Sequence, residues 1–245
     1  STDILVLLND REEIVSYTSK DGFKNFTKST LSQNEGFIGP RIFKNYAGGF
    51  TLFVSKPQDD SYTLFYSVTK DGETWNPFVE FTVPAQIKNT YNPIAPFLLP
   101  VKGGDLVVYQ AQYTQSNLIS VQLYSSFSKD GGKSWTKPIL FSGKETAEGE
   151  NFYNYTNQNP YILSAKGDEV YIAWERSPFY STNSDIYFAK ITEQGAYKGQ
   201  IEKISNTGFA SKPTLFEFNG TINLFWFTTT NGNRNVYLAQ KKGAW

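Results

Sequence analysis

The residues with the most evident chemical capacity stand together in the segment Glu175-Arg176-Ser-Pro-Phe-Tyr180. A carboxylate, a guanidinium group and two aromatic rings in six residues could grip a sugar or a peptide. An ion pair that steadies a loop would have the same composition, so both interpretations stay open here. Asp59 or Asp60 could act with Glu175 in glycoside hydrolysis, which needs two carboxyl groups roughly 5 to 9.5 Å apart.

Composition excludes several other chemistries. The 245 residues include no cysteine, histidine or methionine, so the usual zinc sites, thiol nucleophiles and Ser-His-Asp triads are excluded. We predict no metal and no cofactor. Basic and acidic side chains both number 23, so there is no net field to attract nucleic acid. No apolar run approaches the roughly 18 residues of a membrane span, and we expect no membrane insertion.

A scaffold must position these side chains, and the sequence contains a repeated unit that could form it. A proline followed by mostly apolar residues recurs at Pro40, Pro96, Pro160 and Pro213, and a glycine follows each within eight residues. After that glycine comes an apolar strand, then a variable loop and an alternating strand, and last a tight turn and a short outer strand. Successive prolines are 53 to 64 residues apart, and four short strands in a repeat of that length predict the blade of a β-propeller.

The repeat divides the chain into five units within a single predicted domain. The first unit lacks its inner strand and the last lacks its outer strand. These ends do not combine into one regular blade, so either the ring closes irregularly or the chain is part of a longer one. The predicted fold is therefore an all-β propeller of about five antiparallel blades with incomplete terminal blades, and its units are 1–32, 40–83, 96–141, 160–204 and 213–245.

The turn before the outer strand has its own pattern. Ser128-Lys-Asp-Gly-Gly-Lys-Ser-Trp135 is its fullest copy, Thr69-Lys-Asp-Gly-Glu-Thr-Trp75 is shorter by one residue, and Ser19 to Phe26 is more degenerate. The carboxylate can accept backbone amides across the turn, glycine can take a positive φ, and the tryptophan can cover the hairpin. A structural role in the turn is therefore predicted for Asp21, Asp71, Asp130, Trp75 and Trp135.

These turns resemble the aspartate-box repeats (BNR repeats) of the sialidase-like β-propeller superfamily. The stretch Val170 to Glu175 with Ser184 to Ala189 also resembles repeats of many exported bacterial proteins. The resemblance implies that the aspartate turns lie on the rim away from the ligand. It also implies a test, because active sialidases hold the substrate carboxylate with three arginines. Arg41 on an inner strand fits one of these, but a complete triad is not expected from a chain with four arginines.

A ligand is expected at the mouth formed by the loops that link the second strand to the third and one blade to the next. No catalytic residue is assigned. The candidate ligand-binding residues are Arg41, Asp59, Asp60, Tyr113, Glu175, Arg176, Tyr180 and Arg234.

Three functions remain open. The leading hypothesis is a non-catalytic module that recognises a glycan or a protein, in an exported, cell-surface or periplasmic protein. The alternative is a glycoside hydrolase of the sialidase-like type, with carboxylates at the central mouth. The third is an architectural segment that works with further domains of the same chain.

Overall fold

The computed structural model describes residues 2–58, 61–81, 95–115, 118–140 and 154–242. Within these ranges the regular secondary structure consists of eighteen β-strands, and no described helix is long and apolar enough to cross a membrane. The strands are β1 Asp3–Leu8, β2 Ile14–Ser19, β3 Thr27–Ser32, β4 Ile38–Lys44, β5 Phe50–Gln58, β6 Ser61–Thr69, β7 Val79–Glu80, β8 Phe97–Val101, β9 Gly104–Gln115, β10 Leu118–Ser128, β11 Ile139–Leu140, β12 Tyr155–Ala165, β13 Glu169–Pro178, β14 Asp185–Ile191, β15 Glu202–Lys203, β16 Ala210–Phe218, β17 Thr221–Thr230 and β18 Asn233–Lys242.

The strands form five antiparallel sheets, each from one contiguous segment of chain. The second, third and fourth sheets have four strands in sequence order, β4 to β7, β8 to β11 and β12 to β15. The first sheet, β1 to β3, and the fifth, β16 to β18, have three. The predicted fold class, an all-β propeller of about five blades with incomplete terminal blades, is confirmed. The bounds of the predicted single domain and its units stay a prediction.

The hydrophobic core lies between successive sheets, in four layers. The second strand of each full blade is the most buried, because apolar residues on both of its faces meet a neighbouring sheet. Phe53 and Tyr109 pack between the second and third sheets, Leu106 and Trp174 between the third and fourth, and the layer around Ala173 joins the fourth to the fifth. The first strands β4, β8, β12 and β16 contact one another in succession, so they form the inner wall of the propeller.

The predicted aspartate turns join the last two strands of each of the first three sheets, β2 to β3, β6 to β7 and β10 to β11. In each, the carboxylate accepts backbone N–H groups further along the turn, and these bonds, from Asn25 first, lower the pKa of Asp21 to about 2. The same kind of bond, from Thr74 first, lowers the pKa of Asp71. The donors are the amides of Asn25 to Asp21, of Glu73 and Thr74 to Asp71, and of Lys133 and Ser134 to Asp130, at 2.9 to 3.0 Å.

The two tryptophans of these turns differ in their contacts. Trp75 donates its indole N–H to the carbonyl of Gly72 within the same turn, at 3.0 Å. The ring of Trp135 packs edge-on against Tyr66 and Phe81 of the second blade. Trp135 therefore covers a neighbouring blade as well as its own hairpin.

Three of the four recurrent prolines mark a β-bulge near the start of the inner strand. The register between the first and second strands shifts before Arg41, Tyr161 and Thr214. The residue that precedes the proline has a left-handed backbone, with φ of 59° at Gly39, 50° at Asn159 and 53° at Lys212. The bulge turns the backbone N–H of that residue out of its own ladder, where a neighbouring blade can bind it.

Candidate functional site

The mouth of the propeller lies at the end of the inner strands where the bulges occur. Because the blades are antiparallel, each inner strand starts where the second strand ends, and the aspartate turns fall at the opposite end. Candidate residues on the mouth side include Glu175 and Arg176, near the end of β13, and Tyr180, after that strand. Arg41 lies on β4 with an exposed side chain, and Arg234 lies near the start of β18.

Glu175 is almost fully buried, with 4% of its surface exposed. Its Oε1 accepts the bulge N–H of Lys212 at 2.6 Å, and its Oε2 accepts a hydrogen bond from Gln158 at 3.2 Å. Burial raises the pKa of this carboxyl, while the bond from the Lys212 amide opposes that rise. Both oxygens of the predicted ligand-binding carboxylate therefore have partners within the protein.

The same contact recurs one blade earlier, which identifies its structural role. Gln110 on β9 is equivalent to Glu175 on β13. Each lies two residues after the one that pairs with the residue following the repeat proline. Its Oε1 accepts the bulge N–H of Asn159 at 2.9 Å. A polar side chain at this position binds the inner strand of the following blade, and Glu175 shares that arrangement.

Arg176 points to the opposite face of β13 from Glu175, because successive residues of a strand alternate. Its Nε donates to the side-chain oxygen of Asn157 at 2.8 Å. Its guanidinium carbon lies 4.5 Å from the ring centroid of Tyr187 and 5.5 Å from that of Tyr155. Burial lowers the pKa of Arg176, and the nearby tyrosine hydroxyls oppose the shift. The two residues thus have separate partners, in place of the ion pair that the sequence left open.

Asn157 and Gln122 form a buried polar network that sequence reasoning missed. Asn157 also accepts a hydrogen bond from the indole of Trp174 at 2.8 Å, and its amide nitrogen donates to Gln122 at 2.9 Å. Gln122 in turn donates to the backbone carbonyl of Tyr155 at 2.7 Å. The network joins the third and fourth blades below the mouth, and only the polarity of these residues within apolar strands could have signalled it.

Tyr180 is an aromatic candidate whose side chain is almost fully exposed. It is 91% exposed, its ring lies 4.0 Å from that of Phe179, and its backbone has a φ of 65°. A left-handed backbone at a bulky residue costs about 1 to 2 kcal/mol, and such positions concentrate at functional sites. Tyr180 is free to stack on a ligand.

The structure describes the side chains of only some of the remaining candidates. Arg234 lies over the ring of Phe227 at 4.2 Å, within the fifth blade. Tyr113 belongs to β9, and its side chain lies outside the described residues, as do Asp59 and Asp60. Among the described residues of the inner strands β4, β8, β12 and β16, the only carboxylate is Glu217. It accepts the backbone amide of Lys166, at the end of the sheet away from the mouth.

The described residues contain no group of three or more acidic side chains that could hold a metal ion. A cavity of about 500 Å³ lies on the face opposite the mouth, between the aspartate turns of the second and third blades. Its wall includes Asp71 and Asp130. Each of these carboxylates accepts amides of its own turn through Oδ1, which is its structural role there.

No protein-family model matches the chain, and no curated protein matches it closely. Solved structures do match. An endo-arabinase from Bacteroides thetaiotaomicron superposes with a TM-score of 0.58 at 14% identity, over 100% of this chain and 90% of that one. A Hadza microbial sialidase gives 0.59 at 13% identity, over 93% of this chain and 52% of that one. A family 117 glycoside hydrolase from Zobellia galactanivorans gives 0.54 at 17% identity, over 94% and 72%. These likenesses show the fold, which this chain has in common with β-propeller glycoside hydrolases.

Proposed function

We propose that this protein is a carbohydrate-active propeller that binds a glycan at its mouth and hydrolyses a glycosidic bond there. The observation that carries the proposal is the match of nearly the whole chain to an arabinase, a sialidase and a family 117 hydrolase. These three neighbours are carbohydrate-active enzymes, although their named activities differ. That favours the hydrolase over the leading hypothesis of a non-catalytic module.

Sugar binding at this mouth would use aromatic faces and fixed donors. Tyr180 presents an open ring, which suits the apolar face of a sugar. Arg41 and Arg234 are exposed residues, and their guanidinium groups could donate to ring hydroxyls. Tyr113 on β9 remains a candidate for the same role. We also propose that the protein is exported or displayed at the cell surface and carries further domains.

Hydrolysis would need two carboxyl groups at the mouth. Glu175 is engaged with Lys212 and Gln158, so it is a poor choice for the reacting pair. The candidates are Asp59 and Asp60, which follow the end of β5 in the sequence. One would protonate the leaving oxygen while the other acts as base or nucleophile.

Specific observations support a second candidate function. The described inner strands offer no carboxylate on the mouth side, and Arg176 is engaged with Asn157 and aromatic rings. These features support a glycan-recognition module without catalysis. They also argue against sialic acid as the ligand, because Arg176 is one of the chain's four arginines and a three-arginine clamp would need nearly all of them.

The test separates binding from hydrolysis. The purified chain is incubated with arabinan and with sialylated oligosaccharides, release of reducing sugar is measured, and binding is followed by calorimetry. The double variant Asp59→Asn and Asp60→Asn should abolish hydrolysis and leave most binding intact. Asp168→Asn, in a turn on the opposite face, is the matched control. Binding without hydrolysis in the wild type would favour the recognition module, and neither activity on a broad glycan panel would overturn both.

A further inference from the structure

The fifth blade has one apolar face that is open to solvent. Strand register places Phe216 and Phe218 of β16 on the same face as Val236 and Leu238 of β18. Their exposed fractions are 39%, 66%, 62% and 48%. We call these four residues the seam face. The opposite face of the same blade, around Leu224, packs in the core against the fourth blade.

Equivalent faces of the preceding blades are buried. Phe225 on the seam side corresponds by register to Phe53, Val108 and Ala173 of the second, third and fourth blades. Those three residues have no exposed surface, because each lies under the next blade. The seam face is therefore built as an inter-blade surface but lacks the following blade among the described residues. Contiguous apolar surface of this kind marks an interaction site.

Among the described residues, no blade packs on the other side of the first blade. In the second, third and fourth blades the turn glycine lies so close to the preceding blade that a Cβ there would clash with it. The residues met are Ile4 at Gly72, Ala47 at Gly131 and Ser125 at Gly195. The corresponding Gly22 of the first blade has nothing within 4 Å of the position where its Cβ would stand. Strand β1 is also an edge, since its described ladder is to β2 alone. Within the described ranges, the strands of the first and fifth blades form no extended contact.

We propose that the seam face and the turn of Gly22 border one gap, and that a further antiparallel β-sheet blade from polypeptide joined to this chain occupies it. One inserted blade covers the seam face with its own apolar face and receives the Gly22 turn on its other side. A second copy of this chain would satisfy only one border at a time, because its first blade would cover the seam face and leave another gap beyond. The inference does not depend on the proposed function.

Thiol labelling tests this assignment, since the chain has no cysteine of its own. Val236→Cys is introduced into the 245-residue chain and into the complete product of its native gene. The control is Val79→Cys on β7, which is 52% exposed and lies away from the gap. We expect a maleimide to modify the Val236→Cys thiol about tenfold or more slowly in the complete product, with no change for the control.

Two results would overturn the proposal. One is equal labelling of the Val236→Cys thiol in both proteins, and the other is a native gene that encodes no further blade. If labelling of the 245-residue chain slows with protein concentration as a dimer forms, and does so equally in the complete product, a second copy occupies the face instead. Light scattering at each concentration reports that state.

Discussion

Asp105 provides the sharpest test of the electrostatics of this propeller. Its side chain is completely buried at the start of β9. Its Oδ1 accepts the backbone N–H of Tyr46 from the second blade at 2.7 Å, and its Oδ2 has no hydrogen-bond partner among the residues that the structure describes. Burial raises the pKa of Asp105 from an ordinary 3.8 to about 6; the Tyr46 amide opposes that rise and the nearby charge of Asp130 adds to it.

The sign follows from where the proton binds more tightly. Because the pKa is higher in the folded protein, the folded state holds the proton more strongly than the unfolded chain does. Stability from this group is therefore greatest below pH 4 and is lost as the pH rises through about 6. A shift of about two pH units at roughly 1.4 kcal/mol per unit corresponds to about 3 kcal/mol over the whole window.

Asp105→Asn should remove this pH dependence, because an amide does not titrate and its oxygen can still accept the Tyr46 N–H. We expect the unfolding free energy of the variant, relative to wild type, to rise by about 2 kcal/mol between pH 4.5 and 8. Urea denaturation at several pH values measures it, and the comparison cancels groups that titrate in both proteins. Asp168→Asn, whose carboxylate is exposed, is the control. A difference between variant and wild type that stays constant across this range would refute the reasoning.

Three further predictions concern the contacts between blades and the mouth. Gly131→Ala should lower the unfolding free energy by about 2 kcal/mol more than Gly22→Ala. Both residues have a positive φ, but only at Gly131 would the new methyl group lie 2.6 Å from Ala47 of the preceding blade. Equal shifts of the two variants in thermal unfolding would contradict the inter-blade contact. Glu175→Ala should cost about 1 to 3 kcal/mol in urea denaturation by removing the charged acceptor of the Lys212 amide, and Glu175→Gln should cost less. Tyr180→Gly should raise the unfolding free energy by about 1 kcal/mol by relieving the left-handed backbone, while it weakens glycan binding in calorimetry; unchanged binding beside a stable fold would rule out a stacking role.

The fold could be predicted from sequence because its determinants are local. Each blade is a contiguous meander, so one proline, one glycine and one aspartate turn fix the ends of its strands within a short stretch of chain. The aspartate turns at Asp71 and Asp130 were predicted for the same reason, since the carboxylate and the amides it binds lie within four residues.

The candidate site could not be predicted equally well, because its residues are engaged across blades. Glu175 at the end of an apolar strand has the sequence features of a ligand-binding carboxylate. The amide that it binds belongs to Lys212, 37 residues away, and points there only because of the bulge in the next blade. Asp105 was missed because nothing in its local sequence reveals that Tyr46 of another blade would cover it.

The direction of the turn contacts bears on how the molecule assembles during synthesis. Gly72, Gly131 and Gly195 each rest on the blade that precedes them in the chain. A ribosome releases the amino-terminal blade first, so every later hairpin emerges beside a surface that has already formed. Folding can therefore proceed one sheet at a time along the chain, each sheet packing on the one before it. A kinetic arrest at one blade would leave the earlier blades native and the later ones unstructured.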